Sequence, residues 1–256
     1  MPNEGATPLL EFLFFLGAAL GTTQAPVLRI ASDATFPPFH FIADSGEPTG
    51  FEIELARLVA EREGFRPQVV VVPYDDLLPG LTTRAHHLVA ATTGITPERE
   101  KLYLFTKPYF ETCQAALVRV GKKEPTTLAE LSGRRVGAAG AGTSARALTG
   151  LHGVEAIALG KGEAGVPFLE EGKIDALIVD EFGAVRTARA SKRRLRVLAE
   201  PVALERYAFV LSLASDDLKA AFDSALEALE REGRLEELRK EFGVERDEDW
   251  PVKISP

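Results

Sequence analysis

The sequence predicts an α/β protein built from parallel layers of strand and helix. Three observations predict it. From residue 27 onward short β-rich runs alternate with helical patterns, the order that gives parallel sheets flanked by helices. The chain has 256 residues, enough for one large domain or two small ones. No internal repeat and no low-complexity tether interrupts the alternation. Any division into two domains must therefore come from a chain that crosses over and returns.

The elements follow in order. VLRIAS (27–32) reads as a strand, and a turn-rich stretch with Pro37, Pro38 and Gly46 comes next. FEIELARLVAEREG (51–64) is amphipathic, with Ile53, Leu55, Leu58 and Val59 on its apolar side and Gly64 as its stop signal. QVVVVPY (68–74) suits a buried strand, DDLLPGL (75–81) a short helix, and HLVAAT (87–92) and AALVRV (115–120) further strands. TLAELSG (127–133) opens on the spacing of a Thr127–Glu130 capping box. RVGAA (135–139) is a strand running into a Gly-rich turn and a helix from about Thr143. EGKIDALIVDE (171–181) reads as helix end, strand and turn, and RLRVLAE (194–200) and RYAFVLSL (206–213) read as strands. Residues 216–243 form two helices broken at Gly233.

Composition narrows the function. Thirty Lys and Arg against thirty-eight Asp and Glu leave a formal charge of −8, the wrong sign for a surface that neutralises phosphates. A lone cysteine, Cys113, excludes an internal disulfide and a multi-cysteine metal cluster. The four histidines include the neighbours His86 and His87, which a strand would point to opposite faces, so no metal centre is expected. No cofactor is expected either.

The most apolar run, LLEFLFFLGAAL (9–20), is too short for a membrane span, which needs about twenty residues. It suits the core of a secretory signal, with small and polar residues in GTTQA before a candidate cleavage site at Ala25. The preceding segment has no Lys or Arg, and Glu11 interrupts the run. The expectation is a cleaved signal over residues 1–25, a periplasmic or extracellular location, and no lipid anchor, since no cysteine lies near the site.

Two segments have the residue types of a binding site. GAAGAGTS (137–144) is Gly-rich, follows a strand and opens a helix, so its backbone N–H groups could receive a carboxylate. It lacks the Lys of a P-loop and the G-x-G-x-x-G spacing. The same glycines could equally serve the turn alone. In ATTGITPERE (91–100), a small-residue turn leads into Thr96–Pro97, with Pro at the first helical position. Arg99 follows, and a guanidinium beside exposed N–H groups can hold a carboxylate.

SDATFPPFHF (32–41), GEPTGFEIELARLVA (46–60), YDDLLPGL (74–81), GITPERE (94–100), GRRVGAAGAGTS (133–144), GKIDALIVDE (172–181) and LEREGRLEELRKEFG (229–243) occur in that order. Together they resemble the bacterial extracellular solute-binding proteins of family 3, the amino-acid-binding components of ABC importers. The resemblance covers about residues 27–243. It implies the two-lobed periplasmic binding protein fold (type II), with each lobe a mostly parallel sheet flanked by helices. Lobe one would be residues 27–114 plus 209–250, and lobe two residues 115–208.

It also implies a ligand site between the lobes. Phe36 matches an aromatic that stacks on the ligand side chain, and Tyr74 matches a second one opposite. Asp33 matches an acid that contacts basic or amide side chains in some members. Arg99 matches the clamp on the α-carboxylate, and Asp180 the acceptor of the α-ammonium, so that only a zwitterion bridges both. Thr92 and Gly94 match turn positions that help hold the amino acid. Gly94 departs from the usual Ser or Thr, which removes a hydroxyl and leaves only backbone there. Thr143 and Ser144 match lobe-two donors to the carboxylate, on a loop one residue longer than usual. His87 replaces an Asp common before its strand, a structural substitution.

The function expected is extracytoplasmic binding of a polar, basic or amide-bearing, L-amino acid and its delivery to the membrane permease of an ABC importer. A monomer without a nucleic-acid partner is expected. One alternative is an enzyme like the cyclohexadienyl dehydratases on this fold. They carry a catalytic Glu three residues after the Asp matched by Asp180, and Gly183 stands there instead, removing the acid that loss of water needs. The other alternative is a sensor component that presents its closed form to a receptor.

Overall fold

The protein is described from a computed structural model, which covers residues 25–139, 142–160 and 165–254. The expected signal segment, apart from Ala25, lies outside the described residues, as do Gly140 and Ala141 of the Gly-rich turn.

Strand β1 (Val27–Ser32) leads into a small sheet of β2 (Thr35–Phe36), β3 (His40–Ile42) and β4 (Pro48–Thr49), where the sequence showed only turns. Helix α1 (Phe51–Arg62) buries Ile53, Leu55 and Val59 as its periodicity requires, and Gly64 follows at φ +78°, beyond the reach of most L-residues. Strand β5 (Arg66–Val71) ends before Pro73, so Tyr74 opens α2 (Tyr74–Thr82) and does not close the strand. Next come β6 (Leu88–Val89), α3 (Pro97–Glu100) and β7 (Tyr103–Phe105). The expected strand over 87–92 is reduced to these two residues, Leu88 and Val89, and Thr92 turns the chain at φ +42°.

The chain then leaves along β8 (Phe110–Arg119) and continues through β9 (Arg135–Ala139), α4 (Thr143–Thr149), β10 (Glu155–Leu159), α5 (Gly165–Glu170), β11 (Ala176–Asp180), α6 (Glu181–Ala190), β12 (Leu195–Val197) and β13 (Ala203–Tyr207). It returns as β14 (Val210–Ser212), α7 (Asp216–Arg231) and α8 (Arg234–Phe242). Gly233, at φ +75°, separates the last two helices where the sequence placed the break.

Two larger sheets result. The first has the order β5-β1-β6-β14-β7, and the second β10-β9-β11-β8-β12 with β13 also on β8. Each is mixed: β1 is parallel to β5 and β6, and β9 to β10 and β11, while β8, β12, β13 and β14 pair antiparallel. Of these, β8, β13 and β14 flank the two crossings.

The segment 206–213 is the clearest departure. The sequence shows one apolar run, yet the chain changes sheet inside it: Tyr207 ends β13 in the second sheet and Val210 starts β14 in the first. Ala208 and Phe209 make the crossing, both fully buried, and Phe209 packs on Tyr109 of the outward crossing at 4.7 Å. Composition cannot separate a buried strand from a buried crossing. The 127–133 segment also differs. Only Ala129–Leu131 is helical, as a 3-10 turn, and Glu130 accepts from the Thr126 N–H (2.6 Å) and hydroxyl (3.1 Å), one residue before the expected partner.

An aromatic cluster fills the junction of the sheets. Phe39 meets Phe110 and Phe182 edge-on, each at 5.1 Å, with Phe51 at 6.0 Å and Tyr207 at 5.9 Å. Such pairs add roughly 0.5–1.5 kcal/mol each beyond burial. They fix the loop carrying Phe36 against α6 and β13.

Candidate functional site

The residues singled out by the sequence, Tyr74 excepted, gather into three groups at this junction. The first lies around the turn after β6. Thr96 caps α3 by accepting the Arg99 N–H, and Pro97 presets the first helical residue. This local geometry folds the Arg99 guanidinium back, and its Nη1 donates to the Gly94 carbonyl at 2.8 Å. Gly94 bridges to Tyr207, and the Ile95 N–H donates to the Arg206 carbonyl at 3.0 Å, so the turn is stitched to β13. Across the junction, Thr143 and Ser144 open α4. The Ser144 hydroxyl donates to Gln114 Oε1 at 2.6 Å, and Gln114 Nε2 lies 3.2 Å from Thr143 Oγ1 and 2.6 Å from Glu205 Oε2. Gln114 and Glu205 are buried, on neighbouring strands β8 and β13.

Glu205 explains Gly94. A Cβ on residue 94 would fall 1.9 Å from Glu205 Oε1. The hydroxyl lost relative to a Ser or Thr is thus matched by a carboxylate in the same place. Burial pushes the Glu205 carboxyl above its usual range, against the opposing pull of Gln114, Thr143 and Arg99.

The second group surrounds Asp180. Its Oδ1 caps α6 by accepting the Phe182 N–H (2.9 Å) and Gly183 N–H (3.4 Å), which starts a helix where the sequence suggested only a turn. Its Oδ2 accepts from the Tyr207 hydroxyl (2.5 Å) and the Thr112 hydroxyl (3.2 Å). Burial raises the Asp180 pKa to about 6, with Glu205 and Glu181 adding repulsion against the Tyr207 hydrogen bond. The next residue, Glu181, is fully buried and belongs to the framework. It accepts from Arg246 Nε (3.0 Å), Trp250 Nε1 (3.4 Å) and Thr112 (3.1 Å), and so ties the C-terminal segment to α6.

The third group holds Asp33 and Phe36. Asp33 Oδ1 lies 3.2 Å from His40 Nδ1, and its Oδ2 accepts from Thr35 at 2.6 Å. Burial works to raise its pKa, but His40 and Thr35 outweigh burial and hold the carboxyl below the usual value. His40 Nε2 lies 3.2 Å from Thr92 Oγ1, and the Thr92 N–H donates to Glu52 at 2.7 Å. Glu52 is fully buried, accepts the Tyr109 hydroxyl at 2.5 Å, and is pushed upward by that burial. The N–H and the hydroxyl of Thr92 therefore both have internal partners. Phe36 stacks on Phe39 at 5.5 Å, and its ring lies 3.7 Å from where a Cβ on Gly183 would sit. Tyr74 stands apart from these contacts at the start of α2, 56% exposed.

Two further contacts span the sheets. Arg186 Nη1 donates to the Pro37 carbonyl at 2.8 Å, and Arg146 pairs with Glu98. His87 plays a framework part: its Nδ1 accepts the Arg29 N–H at 3.0 Å. His86 separates from it and reaches the Leu77 carbonyl at 2.6 Å.

Sequence reasoning did not single out Gln114, Glu205, Tyr207, His40 or Glu52. A signal exists for two of them: in ALERY (203–207) alternate positions share one face, so Glu205 and Tyr207 point together.

Comparisons agree with this architecture. Residues 28–245 match the model of the bacterial extracellular solute-binding proteins, family 3. The L-cystine-binding protein TcyJ of Escherichia coli K12 is 29% identical over 222 residues, 85% of this chain and 83% of that protein. The putative ABC transporter arginine-binding protein 2 of the same organism is 25% identical over 86% of this chain and 92% of its own. Among solved structures, an ancestral arginine-binding protein bound to glutamine superposes with a TM-score of 0.73 at 27% identity, covering 86% of this chain and 98% of its own. A fold of two sheets joined by paired crossings and this match along most of the chain have one explanation: the protein belongs to the bacterial extracellular solute-binding proteins, family 3.

Proposed function

We propose that the protein binds one polar L-α-amino acid outside the cytoplasm, between two lobes, and delivers it to the permease of an ABC importer; the expected lobe boundary at 114/115 moves to the start of β8 at Phe110, because all of β8 pairs within the second sheet. The observation that carries this reading is the placing of Arg99 and Asp180 on elements of opposite sheets around one junction. Arg99, with Gly94, Thr143 and Ser144, takes the α-carboxylate, and Asp180 takes the α-ammonium. Each charge-assisted hydrogen bond is worth roughly 1.5–3 kcal/mol net. Asp33, Phe36 and Thr92 face the side chain, and the exposed ring of Tyr74 is available to close over it.

Basic or amide-bearing ligands fit best. Asp33 is held ionised, and with Asp180 and Glu205 it gives three carboxylates against Arg99. The names of relatives point the same way: one is called arginine-binding, and an ancestral arginine-binding protein is recorded with glutamine. Cystine, named for another, is polar and carries two ammonium groups. The protein acts as a monomer, exported by its N-terminal segment, and is not a dehydratase, because Gly183 offers no acid beside Phe36.

Thermal-shift measurement against the twenty amino acids and cystine tests the reading. A ligand at about 100 times its Kd adds roughly 2.7 kcal/mol. Arginine, lysine, histidine, glutamine or cystine should raise the midpoint most. No shift from any of them at millimolar concentration, with no heat by calorimetry, rejects it.

A further inference from the structure

The Glu205 carboxylate lies among the groups that the proposed function gives to the ligand's own α-carboxylate. Its Oε1 occupies the space over Gly94, where a Cβ would fall 1.9 Å away. Its Oε2 accepts from Gln114 Nε2 at 2.6 Å, and the Thr143 hydroxyl donates to it as well. The Gln114 amide is oriented by Ser144, whose hydroxyl donates to Oε1 at 2.6 Å and so turns Nε2 toward Glu205. Arg99 is close enough to favour the charged form of Glu205, although its Nη1 is engaged by the Gly94 carbonyl. Gly94, Arg99, Thr143 and Ser144 thus all bear on one side-chain carboxylate, directly or through Gln114.

The same face of β13 carries Tyr207, whose hydroxyl donates to Asp180 at 2.5 Å. Two side chains of one strand therefore present an anion toward Arg99 and a hydrogen-bond donor to Asp180, the two functions of a zwitterion's ends. A purely structural acid would need none of this alignment. Glu181, which is structural, instead pairs directly with Arg246 and Trp250 of the C-terminal segment.

We propose that Glu205 is a built-in stand-in for the ligand's α-carboxylate, which an incoming amino acid must displace from the Gly94–Arg99–Thr143 clamp, so that Glu205 sets the affinity of the site. The proposal rests on the amino-acid-binding reading. It makes affinity the difference between two carboxylates competing for one set of donors. The competent fraction is reduced while Glu205 holds the clamp, and neutralising Glu205 removes that reduction.

The experiment has two arms. In the first, calorimetry compares the parent, Glu205→Gln and Arg99→Ala with the amino acid that gives the largest thermal shift. Glu205→Gln should bind about tenfold tighter, and Arg99→Ala should lose binding. Weaker binding by Glu205→Gln overturns the proposal, since Glu205 would then contact the ligand directly, while amino-acid binding itself stands. The second arm needs no amino acid. Melting of the parent, Glu205→Ala and the Glu205→Ala/Arg99→Ala double variant is followed in sodium acetate against sodium chloride of equal ionic strength. Acetate should stabilise Glu205→Ala alone, a free carboxylate replacing the deleted one. No selective stabilisation overturns the proposal. Acetate rescue without binding of any amino acid rejects the amino-acid reading and supports the clamp's occupation by Glu205.

Discussion

The two ends of the proposed site are both acidic, yet they hold their acids in opposite ways. At the proposed side-chain end, Asp33 is gripped by His40 and Thr35, and its pKa is held below the usual value despite burial. At the proposed main-chain end, Asp180 and Glu205 are buried close to one another, and both are pushed up, Asp180 to about 6. The first acid stays negative at any physiological pH. The second pair shares a crowded, desolvated corner whose charge depends on what enters it. On the proposed reading, a permanent charge would select among side chains, and a titrating one would meet the group shared by every amino acid, whose ammonium would relieve the crowding.

The contrast can be broken most severely at Arg99. Arg99→Ala should weaken amino-acid binding by about 2–5 kcal/mol, because it leaves a desolvated carboxylate unpaired. Lys101→Ala, on an exposed neighbour, should change it by less than about threefold. Calorimetry on both variants decides, and an Arg99→Ala protein that binds like the parent removes Arg99 from the site.

Asp180 comes next, with a pH signature. The ligand ammonium needs the ionised carboxylate, so affinity should be full above pH 6 and fall about tenfold per unit below it. Asp180→Asn should lose roughly 1.5–3 kcal/mol of binding and flatten that dependence. Stability of the unliganded protein should run the other way. With the folded pKa raised from 3.8 to about 6, Asp180's contribution is present below 3.8 and lost as pH rises through 6. A binding curve flat between pH 5 and 7 contradicts the assignment.

At the other end, Asp33→Asn should cost arginine or lysine about 1–3 kcal/mol of affinity and leave leucine nearly unchanged. Tightest parental binding to leucine or glutamate, unmoved by the substitution, would show that Asp33 serves only its own turn. The smallest effect belongs to Gly94. Gly94→Ser places a Cβ against the Glu205 carboxylate and should cost about 1 kcal/mol of stability, regained when Glu205 is also changed to Ala. Additive effects in that double-mutant cycle would deny the contact.

Much of this was written in local pattern. Strand β1, helix α1 with its Gly64 stop, and the α7–α8 break at Gly233 each depend on periodicity and a positive φ that neighbours cannot alter. Thr96–Pro97 set the helical turn that holds Arg99, for the same local reason. The family's seven motifs appear in order and carried expectations for Arg99 and Asp180 that short-range spacing alone could not. Strands β7 and β10 were not legible: one has three residues, and the other is largely exposed along its length.

What the sequence by itself determined is the set of layers, their order along the chain, and the local turns that present Asp33, Arg99 and Asp180. The tertiary structure alone decided that 206–213 divides between two sheets, that Glu205 meets Gln114 and Tyr207 meets Asp180, and that Gly94 is small because a carboxylate 111 positions away lies over it. Strand pairing and crossing bring such groups together. These are long-range events, settled by burial and hydrogen-bond satisfaction across the whole fold, and no window of neighbouring residues contains them.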